Sequence, residues 1–185
     1  MAAHYFIAIP LTESIQDFFA VWQEKLKGDL PYKRWPHKQD LHITLKFLGP
    51  VADNKLMELK NELAAAAELQ EFTIQAGGTG IFGNPQKPRV LWAGVEKSEK
   101  LFSLYEKVEE GAVHAGFPRE PREYRPHITL AKKWAGNKGM PVHEIIDDFT
   151  ECKTLSVTEF VIYRIHPGNS PKYQMIEKYR LQRDD

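Results

Sequence analysis

The tetrapeptide His-X-Thr-Leu occurs twice, as His42-Ile43-Thr44-Leu45 and as His127-Ile128-Thr129-Leu130. Each copy is rich in β-branched residues and alternates in character, which predicts a strand. Strand side chains repeat with a period of two, so the His and Thr of one copy share a face. A fold for this chain must therefore accommodate two similar strands, each presenting an imidazole beside a hydroxyl.

The flanking elements repeat too. Residues 5–9 form a short apolar run ended by Pro10, a buried strand. Thr12 is placed to cap a helix whose stripe is Ile15, Phe18, Phe19, Trp22 and Leu26, stopped by Gly28. A Pro- and Lys-rich loop at 31–40 leads to the first motif strand, 41–48, ended by Gly49-Pro50. Asp53 is placed to cap a second helix carrying Leu56, Leu59, Leu63 and Ala66-Ala67, and 71–76 alternates as a strand. Residues 77–89 are dense in Gly and Pro and read as turns, Gly77-Gly78-Thr79-Gly80 included.

The order then restarts. Residues 90–95 are an apolar strand. Ser98 caps a helix bearing Leu101, Leu104, Tyr105, Val108 and Ala112, which Gly116 ends. A Pro- and Arg-rich loop at 117–126 precedes the second motif strand. Pro141 opens a short helix, 155–165 is one long strand pattern and 173–181 is the last. Strand, helix, motif strand, helix, strand thus appears twice, which predicts a duplicated α+β unit with both motif strands on a shared cleft.

At 185 residues the chain is expected to be one domain, 1–185, built of two pseudo-symmetric lobes, and to bury roughly 70% of its unfolded surface. Acidic and basic residues balance at 25 each, so anion binding must be local. Cys152 is the only cysteine, which excludes an intramolecular disulfide and a Cys-rich metal site. Met1-Ala2-Ala3-His4-Tyr5 lacks the pattern of a signal peptide, and no apolar run approaches the ~20 residues of a membrane span. A soluble, cytoplasmic, monomeric protein is the expectation.

One His on a strand is ordinarily a hydrogen-bonded residue without chemical work, and one Thr is a good strand former. Two copies at matching places are harder to dismiss, because a core does not require imidazole twice. A zinc site needs further ligands, and no Asp, Glu, His or Cys stands at a useful offset from either motif. Thr as nucleophile is disfavoured, since a Thr two residues from its His lies about 6.5–7 Å along the strand. Paired glycosidase carboxylates, a P-loop and a nucleophile elbow are absent. Two imidazoles astride a phosphate suit metal-free acid–base catalysis near neutral pH, their ordinary pKa being ~6.5. Thr44 and Thr129 would donate hydrogen bonds to the non-bridging oxygens, and a strained cyclic phosphate is the natural substrate.

The chain resembles the two-histidine (2H) phosphoesterases, in particular the LigT-like RNA 2′,3′-cyclic phosphodiesterases, also called 2′–5′ RNA ligases. The resemblance rests on Leu41-His42-Ile43-Thr44-Leu45-Lys46-Phe47-Leu48-Gly49 and Arg125-Pro126-His127-Ile128-Thr129-Leu130-Ala131-Lys132. Phe6-Ile7-Ala8-Ile9-Pro10, the segment Pro88-Arg89-Val90-Leu91-Trp92-Ala93-Gly94-Val95 and Ser170-Pro171-Lys172-Tyr173 support it. It implies a bilobal α+β fold in which two antiparallel sheets face a central cleft with helices outside. It implies hydrolysis of RNA 2′,3′-cyclic phosphate ends to 2′-phosphate, with reverse 2′–5′ joining in some members. His42 is then the proton donor and His127 the acceptor, with no metal and no cofactor. Lys132 stands where the family often has Arg, and a Lys is a point charge, not a bidentate fork.

Arg125, Lys132 and Lys46 are candidate phosphate contacts; by strict alternation Lys46 shares the face of His42 and Thr44, whereas Lys132 is out of phase with His127 and Thr129. Phe47, Trp35 and Tyr124 are candidates to stack a base. A cyclic phosphodiesterase for small nucleotides or 2′–5′ oligonucleotides, and a non-catalytic nucleotide- or RNA-binding module, are the alternatives.

Overall fold

An apolar run with no polar interruption belongs in the middle of a sheet, and β1 (His4–Pro10) is buried along Tyr5 to Ile9. The computed structural model describes residues 2–185; of the amino-terminal segment, Met1 lies outside the described residues. Helix α1 (Glu13–Lys27) turns Ile15, Phe19, Trp22 and Leu26 to the core. Thr12 is its N-cap residue, but the hydroxyl meets Ser14 Oγ at 3.3 Å and makes no capping bond. After β2 (Tyr32–Arg34) and a 3-10 turn (Lys38–Asp40) comes the first motif strand, β3 (His42–Pro50). In α2 (Asp53–Glu62), Asp53 is the first helical residue and not the cap, which is Ala52; Leu63–Glu68 continues as 3-10 helix.

A hairpin follows, β4 (Phe72–Asn84) and β5 (Lys87–Val95). Helix α3 (Glu99–His114) is capped as expected, the Leu101 N–H donating to Ser98 Oγ at 3.0 Å. The second motif strand is β6 (His127–Trp134), followed by α4 (Val142–Ile146), β7 (Cys152–Val157), β8 (Glu159–Ile165) and β9 (Tyr173–Arg180).

The fold is α+β with two sheets, ordered β3-β1-β8-β9 and β2-β6-β5-β4-β7, and their strand pairings are antiparallel. Each motif strand lies beside the opening strand of its own repeat, β3 on β1 and β6 on β5. The closing strands are exchanged: β4 pairs with β5, and β8 pairs with β1.

Three expectations are corrected. The Gly-rich stretch at 77–89 is mostly strand. Gly78 takes φ +67° at a register shift in the β4–β5 ladder, and a Cβ on Gly80 would lie 2.2 Å from the Trp92 ring. These glycines serve a bulge and a close aromatic contact, which mimic turn composition. The long pattern at 155–165 is two strands in different sheets; burial alternates through Leu155 and Val157, then becomes continuous at Phe160, Val161 and Ile162. The loop at 31–40 hides β2, a three-residue edge strand between Pro31 and Pro36 that pairs Tyr32 with Trp134 and Arg34 with Lys132.

The main core joins the helices to one face of each sheet. A smaller cluster, Phe6, Ala8, Val161 and Tyr163, with Ile165 and Tyr173 against it, covers the opposite face of the first sheet. That second face carries His42. No helix is long and apolar enough to cross a membrane.

Candidate active site

The two motifs meet in one cleft made of two adjoining chambers. The smaller, 230 Å³, is lined by His42, Thr44, Thr129, Lys132, Phe6 and Tyr173 among others. The larger, 630 Å³, is lined by His127, Arg125, Phe82, Tyr124 and Arg89 among others. Thr44 and Phe47 line both.

The histidines are held in the same way. His42 Nδ1 lies 2.6 Å from the Asp40 carbonyl, and His127 Nδ1 lies 2.7 Å from the Arg125 carbonyl, in each case two residues back. A carbonyl only accepts, so each Nδ1 carries a hydrogen and each Nε2 is left as the working nitrogen. His42 Nε2 is 2.9 Å from Thr44 Oγ1. Aromatic rings flank both imidazoles: Phe6 and Tyr173 at 4.8 and 5.4 Å from His42, and Phe82 edge-on at 4.9 Å from His127. Burial among them lowers the pKa of His42 to about 4, opposed by the Asp40 carbonyl and carboxylate and reinforced by the positive charges of His127 and Lys132. Burial lowers His127 as well, opposed by its bond to Arg125.

Strict alternation breaks just past each motif, for one reason. In the β1–β3 ladder Ala8 faces Thr44 and Ile7 faces Lys46, so Leu45 has no opposite number. In the β5–β6 ladder Trp92 faces Thr129 and Leu91 faces Ala131, so Leu130 has none. A bulge at the same place in both copies shifts the phase by one. Lys46 turns inward, 6% exposed, and only its buried flank borders the larger chamber; Phe47, 63% exposed, stands out over the cleft in its place. Lys132 swings onto the face of His127 and Thr129. Phe47 and Lys132 therefore occupy corresponding positions, an aromatic ring in one copy and a cation in the other.

The inward Lys46 meets Glu109 Oε1 at 2.8 Å and donates to the Pro118 carbonyl at 2.9 Å, while Glu109 Oε2 accepts from the Glu120 N–H at 3.0 Å. Tyr124, stacked on Tyr105 at 4.0 Å, donates its hydroxyl to the Thr44 carbonyl at 3.0 Å. The loop before His127 is thus pinned to the strand of His42 at both ends. In the other copy, buried Gln23 donates to the Leu130 carbonyl at 3.0 Å.

His42, Thr44, His127, Thr129, Lys132 and Arg125 all reach the cleft, Arg125 as an exposed side chain on the larger chamber. Trp35 does not; its indole N–H donates to the Tyr32 carbonyl and its ring packs on the core. Asp40, Phe6, Phe82 and Tyr173 line the cleft without having been singled out. Asp40 and Arg125 share an offset, two residues before each His, which was the available signal.

The model of the 2′-5′ RNA ligase superfamily matches residues 11–169. The chain belongs to this superfamily. It is 37% identical over 180 residues to an RNA 2′,3′-cyclic phosphodiesterase of Bacillus subtilis, spanning 96% of both proteins. It is 35% identical to one of Geobacillus stearothermophilus, over 97% of this chain but 57% of that longer protein. Among solved structures, E. coli LigT complexed with 3′-AMP aligns at TM-score 0.79 with 22% identity, over 98% of this chain and 99% of that one. TT0787 of Thermus thermophilus aligns at TM-score 0.76 with 25% identity, over 98% of this chain and 100% of that one. These structural likenesses show a LigT-like fold over nearly the whole of the chain.

Proposed function

We propose that this chain hydrolyses RNA 2′,3′-cyclic phosphate ends to 2′-phosphates by acid–base catalysis between His42 and His127. The observation that carries it is the matched presentation of two Nε2 atoms to one cleft, each fixed by a backbone carbonyl behind it. The relatives named as RNA 2′,3′-cyclic phosphodiesterases support the same reading.

Neutral His127 takes a proton from water as its oxygen attacks phosphorus. The P–O3′ bond breaks on the opposite side, and protonated His42 delivers its Nε2 proton to O3′. A free 3′-hydroxyl and a 2′-phosphate remain, with His127 protonated and His42 neutral, and solvent exchange resets both. The hydroxyls of Thr44 and Thr129 donate to the non-bridging oxygens, where charge grows, and Lys132 offsets that charge. Arg125 bounds the larger chamber as a further anion contact. An anionic phosphate beside His42 raises its pKa from the low value of the empty cleft, so the substrate itself charges the acid. With a 5′-hydroxyl in the position of water, the same step forms P–O5′ as P–O3′ breaks and joins two ends through a 2′–5′ bond, and the larger chamber on the His127 side has room for the nucleoside that carries it.

The mechanism uses neither metal nor cofactor. Among the described residues no group of three His, Cys, Asp or Glu side chains gathers to supply a ligand set. The domain acts as one unit of two pseudo-symmetric lobes, in this reading a cytoplasmic monomer. Incubation with adenosine 2′,3′-cyclic phosphate in excess chelator should yield the 2′-phosphate at the untreated rate. Loss of activity restored by zinc or magnesium, or a 3′-phosphate product, would overturn the mechanism.

A further inference from the structure

Cations collect at one mouth of the cleft, beside the smaller chamber. Arg34 stands opposite Lys132 in the β2–β6 register. Lys133 follows with φ +63°, the one left-handed non-glycine residue among those described. A side chain takes that backbone only where its surroundings hold it, and such residues cluster at working sites. Lys172 enters from the loop before β9. Its N–H donates to the buried carboxylate of Asp40 at 2.8 and 3.1 Å, and the Tyr173 N–H donates to the same group at 3.1 Å. Asp40 and Tyr173 line the chamber with His42 and Lys132, so a buried carboxylate fixes the Lys172 backbone at its edge.

These charges act on one another. After burial, Lys172, Arg34 and Lys133 are the causes that lower the pKa of Lys132. None of the four forms an ion pair among the described residues. In a chain whose charges balance at 25 and 25, this is a local excess awaiting an anion. One cyclic phosphate carries a single negative charge, and Lys132 answers it. The remaining three cations stand close enough to Lys132 to act on its charge yet lie outside the lining of the chamber, where a second phosphate of the same chain would meet them.

We propose that Arg34, Lys133 and Lys172 bind the phosphodiester on the 5′ side of the terminal nucleotide, so that the enzyme selects an RNA chain over a mononucleotide. The inference rests on the cyclic-phosphate reading of the same cleft. The site recognises a phosphate on the 5′ oxygen of the terminal nucleoside, and we assign it to an internal phosphodiester, not a terminal monoester.

Four substrates separate the cases: adenosine 2′,3′-cyclic phosphate, its 5′-phosphorylated form, the dinucleotide ApA with the same cyclic end, and that dinucleotide with a neutral methylphosphonate linkage. The natural dinucleotide should exceed the mononucleotide in kcat/KM by about tenfold, as one charge-assisted contact allows. The methylphosphonate should fall back to the mononucleotide. Arg34→Gln with Lys172→Gln should erase the dinucleotide's advantage and leave mononucleotide turnover within about twofold, a change too small for one lost contact. An equally good methylphosphonate would assign the gain to base contacts and overturn the proposal, as would no gain at all. A 5′-monophosphate outrunning the dinucleotide would overturn the assignment to an internal linkage. Failure of all four substrates would instead strike the cyclic-phosphate reading itself.

Discussion

His42 and His127 share a tether but not an environment. His42 lies deeper among rings and is the more strongly depressed, to about 4, while His127 keeps an open flank on the larger chamber. His42→Ala and His127→Ala should each reduce kcat by at least ~100-fold. A substrate whose 3′ leaving group is far more acidic needs no proton to depart, so it should rescue His42→Ala and not His127→Ala; rescue of the second would reverse the roles. Both imidazoles are lowered by burial, so in the free enzyme the form with one proton between them predominates only on the acid side of the ordinary imidazole range. The bell of kcat/KM should therefore lie on the acid side of 6.5 and fall as pH rises. Bound phosphate raises His42, and the bell of kcat should sit at higher pH. A kcat/KM still at its maximum at pH 8 would contradict this.

At the scale of elements, the two bulges decide which side chains work. Deleting neither motif residue, they exchange Lys46 for Phe47 on one strand and bring Lys132 into phase on the other. Lys46 then becomes half of a buried pair, 5% exposed against 0% for Glu109. Lys46→Met leaves the Glu109 carboxylate uncompensated and should cost about 3–5 kcal/mol in urea denaturation, whereas Lys46→Met with Glu109→Leu should recover most of it. Equal losses in single and double variants would show the pair to be irrelevant. The His and Thr positions were legible in the sequence because they precede the bulge, where a period of two still holds. The facing of Lys46 and of Lys132, though not the reach of Lys132 to the cleft, was misread because a bulge is written in the ladder between strands and leaves no mark in one strand's alternation. Asp40 was missed for a related reason: its partners, the N–H groups of Lys172 and Tyr173, are remote in sequence.

Across the whole molecule, the repeated α+β order and the shared cleft were readable from element order, while the two facing antiparallel sheets were implied by the family resemblance. Strand exchange was not readable, because β4 and β8 fit either sheet by composition and only their partners distinguish them. The chain passes from one sheet to the other between β1 and β2, between β2 and β3, between β3 and β4, and between β7 and β8. Two bodies joined by a single connection open like a door. These are laced together, so no one connection is a hinge, and prising them apart would strain every crossing at once. The cleft is thus a seam stitched by four crossings of the chain, and the two histidines stand on strands that the same stitching ties to both sheets.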